Sequence, residues 1–176
     1  MKRFLPLLAL LLLAACDRGA SPAPSRAPRP VVRPPTGPAA GQTAPEYDLF
    51  DSKGARRLSG EWAGKKAALL VIGTTSCPRC RSMVADIDAV RQKRGDSLFV
   101  AAILLSETAD RAEAFARDHG AGFTLLVDPK NAAMTAFKPG NYPHFVLVDT
   151  HGVIRYTGPD LPADTLIDQA THGDTR

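Results

Sequence analysis

The 176 residues suffice for one domain of ordinary size, and 44% apolar against 23% charged residues is a balance that supports a packed core and excludes a wholly disordered chain. The formal charge of +4 is not spread as a basic face. Arg18, Arg26, Arg29 and Arg33 lie in one proline-rich stretch where Asp17 is the only acid, and no basic, aromatic-interleaved surface is visible, so no nucleic-acid partner is expected.

The chain opens with Lys2 and Arg3, then an apolar run from Phe4 to Ala15 interrupted only by Pro6. That run is short of the about 20 residues a membrane-spanning helix needs and has the size of a secretory signal's apolar region. It ends in Leu13-Ala14-Ala15-Cys16, which resembles the bacterial lipobox. The resemblance implies a signal peptide over 1–15 and a lipidated Cys16 holding the mature chain to a membrane. The alternative is an ordinary signal peptide cut near Ala15, with Cys16 incidental. Asp17 is similar to an inner-membrane retention signal, which places the protein on the periplasmic side of a bacterial inner membrane.

Residues 16–44 are expected to form a tether. Eight of the fifteen prolines fall from Asp17 to Pro45, with little apolar material to bury, so semi-extended chain with polyproline II character is expected. A domain is expected over 45–172. Tyr47 to Phe50 is extended, Asp51-Ser52-Lys53-Gly54 is a turn, and Ala67 to Gly73 is a continuous apolar run of the kind found in a buried parallel strand. Pro78 to about Arg94 is a helix with a stripe of Met83, Ile87 and Val90, stopped by Gly95. Leu98–Leu105 is a second strand and Glu107–His119 a second helix. Phe123–Val127 is extended and 131–137 helical. Phe145–Asp149 and Val153–Thr157 are strands joined by a turn at Thr150-His151-Gly152, and Ala163–Ala170 is a last helix. Alternation of strands and helices followed by a hairpin and a helix specifies an α/β domain with a mixed central sheet.

Of three cysteines, Cys77 and Cys80 form one C-x-x-C at the junction of the first buried strand and a helix. A single close pair in an exported chain is not a disulfide framework, so it is more suited to reaction than to stapling. Cys77 falls at a helix N-terminus, where free backbone N–H groups favour a thiolate, and Pro78 suits the first helical position. Cys80, one turn on, can attack a mixed disulfide carried by Cys77. Arg79 and Arg81 add positive charge nearby, and Arg79 should stabilise the reduced thiolate form, from which a couple more oxidising than thioredoxin's roughly −270 mV is expected. A zinc site is the first competitor, but His119, His144, His151 and His172 have no usual ligand spacing to the pair. A purely structural disulfide is the second, although closing so short a loop gains little. No metal or other cofactor is expected.

These features resemble the TlpA/ResA type of thioredoxin-fold thiol–disulfide oxidoreductase, within the redoxin/AhpC-TSA branch of the thioredoxin superfamily. The resemblance covers about residues 44–172. It rests on Ala44-Pro45-Glu46-Tyr47-Asp48-Leu49, the strand leading into Cys77-Pro78-Arg79-Cys80, the segment 106–137, and Asn141-Tyr142-Pro143-His144 leading into the next strand. It implies a cis Pro143 facing the dithiol, a substrate groove lined by Pro143 and the Tyr142 backbone, and tuning of the dithiol by Pro78 and Arg79. It also implies cysteine-containing exported proteins as substrates and a redox partner at the membrane. Three positions depart from the family. Ser76 replaces a common tryptophan, Met83 replaces a glutamate of the cytochrome-maturation relatives, and Val71 replaces thioredoxin's buried aspartate. The usual proton acceptors for the buried thiol are thus missing, and His144 is a candidate substitute. Two other functions stay open. A peroxiredoxin-like thiol peroxidase is suggested by Thr74 three residues before Cys77, though Leu70 stands where that motif has proline. A copper-handling assembly protein could use the two thiols and a distal histidine.

Overall fold

The computed structural model describes residues 34–173, which lie in one compact unit. Cys16, the signal segment and most of the tether lie outside the described residues. Seven strands form one sheet: β1 (Asp48–Asp51), β2 (Arg56–Leu58), β3 (Ala67–Gly73), β4 (Leu98–Leu105), β5 (Thr124–Asp128), β6 (His144–Val148) and β7 (Ile154–Gly158), in the order β2-β1-β5-β4-β3-β6-β7. β3, β4 and β5 are parallel, while β1, β6 and β7 join antiparallel. The mixed sheet is the one expected from the sequence.

β3 is buried at every position because it lies inside the sheet with both faces covered. Its alternate residues feed two cores. Leu69 and Val71 join Val84, Ile87 and Val90, Ala112 and Phe115, and Ile167 and Ala170. These come from α2 (Val84–Arg94), α3 (Ala109–His119) and α5 (Asp164–His172). Leu70 and Ile72 face the other way, toward Trp62, Tyr47, and Ala133 and Phe137 of α4 (Ala132–Phe137).

Three features differ from the sequence expectations. The single helix expected from Pro78 to Arg94 is two: α1 (Pro78–Ser82) and α2, separated by Met83 at φ −91°, ψ −2°. Backbone bonding continues through the break, from the Met83 amide to the Arg79 carbonyl and from the Ile87 amide to the Met83 carbonyl. Val84 is buried in the core stripe, and Met83 packs against the same core while only half-buried. β2 was not anticipated, because Arg56-Arg57-Leu58 carries no apolar alternation. It forms because the Asp51 carboxylate accepts hydrogen bonds from the Lys53 and Ala55 amides, at 3.0 and 2.8 Å, and so folds the chain back on β1. Finally, residues 41–44 of the proline-rich segment pair with the sheet. Gly41 donates to the Ile154 carbonyl, Ile154 to that of Gln42, and Ala44 to that of Gly152, which covers the free edge of β7.

Candidate active site

Cys77 and Cys80 are joined in a disulfide, with their Cα atoms 5.2 Å apart. β3 ends at Gly73, and the chain leaves the sheet through Thr74-Thr75-Ser76 before Cys77 caps α1. The Cys80 amide donates to Cys77 Sγ at 3.1 Å, and the Pro78 ring occupies the first helical position. This amide is placed to hold a thiolate on Cys77 once the disulfide is opened. Cys77 is half-buried, whereas Cys80 is buried.

The Tyr142–Pro143 peptide bond is cis. β6 pairs with β3 through Ile72 and His144, so the next step of the register sets Pro143 beside Gly73, at the sheet end that carries the dithiol. The sites singled out at Cys77, Cys80, Pro78, Tyr142 and Pro143 are thus brought to one end of the sheet. Pro143 is buried, and Tyr142 is half-buried against the core on the far face.

Arg79 does not stand as a free charge. It pairs with Asp160 in the loop after β7, across 81 residues of sequence. Arg81 turns back to donate to the Thr75 carbonyl at 3.1 Å.

His144 is not the proton acceptor for Cys80. Cross-strand partners share a face, and His144 is opposite Ile72, whereas Phe145 is opposite Val71 on the face that holds α2 and Cys80. The imidazole therefore points to the other side of the sheet, where its Nε2 meets Thr157 Oγ1 at 2.8 Å. The same geometry removes His144 as a distal copper ligand to the dithiol. A small cavity behind Cys80 is lined by Val71, Val84, Ala102, Leu104, Phe115 and Phe123, among other apolar groups. Burial pushes the His144 pKa below the ordinary histidine value. A depressed folded value favours the neutral ring, so its stabilising contribution is complete above the unfolded pKa of about 6.5 and is lost as pH falls through the folded value. The urea midpoint should drop as pH falls below about 6.5, and His144→Gln should flatten that part of the profile. An unchanged slope in the variant would assign the drop to other groups.

One residue of the site went unnoticed in the sequence. Glu107, just before α3, is buried at 5% exposure. Its Oε1 accepts from the Thr75 amide at 3.1 Å and from the Thr75 hydroxyl. Arg111 Nε lies 2.7 Å from Oε2 in an ion contact too poorly aligned to count as a hydrogen bond, and Arg111 Nη2 donates to Thr75 Oγ1 at 3.1 Å. The buried carboxylate thus pins the loop two residues ahead of Cys77. Thr75→Val removes the hydroxyl that links both charged groups, and should cost about 1 kcal/mol, the exposed Arg111 reducing the effect. Denaturant titration of the reduced and oxidised protein checks this. The only sequence signal was a lone acid before a helix, which by itself suggests a solvated residue.

Residues 40–157 match the AhpC/TSA family. The chain is 32% identical over 124 residues to methylamine utilization protein MauD of Methylorubrum extorquens, covering 69% of this chain and 58% of that protein. It is 28% identical over 122 residues to thiol-disulfide oxidoreductase ResA of Geobacillus kaustophilus, covering 68% and 69% respectively. Among solved structures it resembles a thioredoxin-family thiol:disulfide interchange protein of Chlorobium tepidum, with a TM-score of 0.65 at 20% identity, covering 76% of this chain and 98% of that one. This last likeness bears on the fold alone. The chain spans about three-fifths of the length of the MauD proteins it matches, at 58% to 60%. With the family match covering 40–157 and a mixed seven-stranded sheet flanked by helices, the chain belongs to the AhpC/TSA family of thioredoxin-fold proteins.

Proposed function

We propose that this protein is a thiol–disulfide oxidoreductase acting on cysteines of exported proteins. The observation that carries the reading is the Cys77–Cys80 disulfide at the end of β3, beside cis-Pro143. In the reducing direction, the Cys77 thiolate attacks one sulfur of a substrate disulfide. A Cys77–substrate disulfide forms and the other substrate sulfur leaves as a thiolate, which takes a proton. The Cys80 thiolate then attacks Cys77 Sγ, re-forms the internal disulfide and releases the second substrate thiol. Two electrons pass from the dithiol to the substrate, and the reverse sequence oxidises it.

The backbone at Tyr142 and Pro143 serves as the substrate groove, with an extended segment pairing alongside it. Pro78 and Arg79 tune the couple. The N-terminal signal-like segment supports a location on the periplasmic side of a bacterial membrane, held by lipid on Cys16, with the inner membrane the better fit to Asp17. No helix among the described residues is long and apolar enough to cross a membrane. A membrane redox partner resets the dithiol after each turnover.

The test is trapping. Cys80→Ser expressed in an exporting bacterial host should accumulate proteins disulfide-linked to Cys77, released by reductant and absent from Cys77→Ser. No captured protein, together with no exchange with insulin or glutathione, would sink the reading. Peroxide consumption faster than disulfide exchange would turn it toward a thiol peroxidase.

A further inference from the structure

Three arginines belong to the segments next to the dithiol: Arg79 and Arg81 in α1, and Arg111, which donates to Thr75. Arg79 is paired with Asp160, and Arg111 contacts Glu107. Arg81, the residue after Cys80, is half-buried and has no carboxylate partner among the described residues. Its one side-chain hydrogen bond among the described residues, from Nη1 to the Thr75 carbonyl, leaves the rest of a five-donor fork unmatched by charge. Desolvating a guanidinium in part without a counter-charge is unfavourable, and the deficit is relieved when an anion arrives.

Arg81 lines an open cleft of about 380 Å³, together with Thr75, Arg111, Phe115, Asp118 and His119. Thr75 is two residues before Cys77 and Arg81 directly follows Cys80, so the cleft adjoins the loop and the helix that carry the dithiol, although the sulfurs themselves are not in its lining. Asp118, the acid in its lining, is exposed and contacts Arg117 at 3.4 Å, while Arg81 and Arg111 leave the lining with more positive than negative charge. Phe115 and the ring of His119 pack at 4.9 Å between centroids and give the cleft an apolar wall. A short polypeptide segment could lie there with its side-chain carboxylate on Arg81 and its cysteine toward Cys77.

We infer that this cleft selects substrates carrying acidic residues beside the reacting cysteine, with Arg81 as the specificity-determining residue. The inference rests on the thiol–disulfide exchange proposed above and narrows its substrate class. Acidic substrates gain from electrostatic attraction on approach and from a charge-assisted contact in the mixed disulfide. Basic ones meet an unpaired like charge.

The experiment uses the full-length protein, reduced beforehand, and two synthetic peptide disulfides. Each is a symmetric dimer of a cysteine peptide, one flanked by glutamates and the other by lysines. Oxidation of the protein dithiol is followed by alkylation quenching and mass measurement. Each rate is divided by the rate at which dithiothreitol, attacking through its thiolate, reduces the same peptide, which removes differences in the disulfides themselves and in their attraction for any thiolate. The corrected ratio of acidic to basic peptide should be about fivefold to tenfold at low ionic strength and fall toward unity in about 0.5 M salt. Arg81→Gln should lower the low-salt ratio at least about threefold, while Arg81→Lys retains most of it. If Arg81→Gln does not fold, the low-salt ratio of the unmodified protein and its fall in salt still decide. A ratio near unity at low salt, or one unchanged in Arg81→Gln, would overturn the inference while leaving disulfide exchange intact. No oxidation by either peptide would overturn the exchange function, and the inference with it.

Discussion

Cys77→Ser should abolish disulfide exchange, with a loss on the order of 10³-fold or more, whereas Cys80→Ser should leave the first step running and stop the second. The asymmetry follows from position. Cys77 is half-buried at the helix cap, where the Cys80 amide reaches its sulfur at 3.1 Å. Cys80 is only 8% exposed and backs onto hydrocarbon, so an incoming disulfide cannot reach it without passing Cys77. With a model peptide disulfide, Cys80→Ser should form one equivalent of mixed disulfide that persists on a non-reducing gel. In the unmodified protein the same species should be transient. Equal trapping by the two single variants would show that the sulfurs are interchangeable and would refute the assignment of attacking and resolving roles.

Gly73→Ala should have the largest effect on stability. A Cβ at this position would lie 2.8 Å from Cys80 Sγ and 3.8 Å from its Cβ. Gly73 needs no special backbone geometry, so the requirement is one of space. Overpacking of this kind costs about 2–3 kcal/mol when the neighbour is held fast. In the oxidised protein Cys80 Sγ is tied to Cys77, while in the reduced protein it can rotate away. The loss should therefore be larger in the oxidised form, by about 1 kcal/mol. The thermodynamic cycle converts that difference into a couple roughly 20 mV more oxidising. Urea unfolding of both redox forms, with a glutathione titration, tests the two halves separately. Equal destabilisation of both forms would mean that the added methyl is accommodated by moving the backbone, not the sulfur.

Much of the reacting centre was legible in the sequence because its parts are local. C-x-x-C after a buried apolar run fixes the cap, the first-turn proline and the deeper second sulfur. β4 was expected from Leu98 to Leu105 and occupies those residues. Pro143 became recognisable through its resemblance to a family pattern, since no local rule brings a proline 63 residues after Cys80 back beside it. What escaped notice depends on pairings remote in sequence. Glu107 holds Thr75 across 32 residues, and Asp160 holds Arg79 across 81. Neither acid differs in local context from a solvated surface residue. His144 misled for a related reason. Its nearness to Pro143 in sequence suggested nearness to the dithiol, but the two-residue period of a strand sends adjacent side chains to opposite faces. The break at Met83 escaped because one continuous hydrogen-bonded ladder can carry a kink without losing its apolar period.

The pairing of residues 41–44 with the β7 edge fixes where the polypeptide enters the domain. Gly152 and Ile154 lie at the sheet end marked by Ala68 and Val148, while Gly73 and Pro143 mark the opposite end. Residues 41–44 and the Cys77–Cys80 pair are thus on opposite poles. Tension arriving from upstream would be borne by the hydrogen bonds around Gly152–Ile154, and would leave the Cys77–Cys80 pole unloaded and free to face outward to whatever approaches.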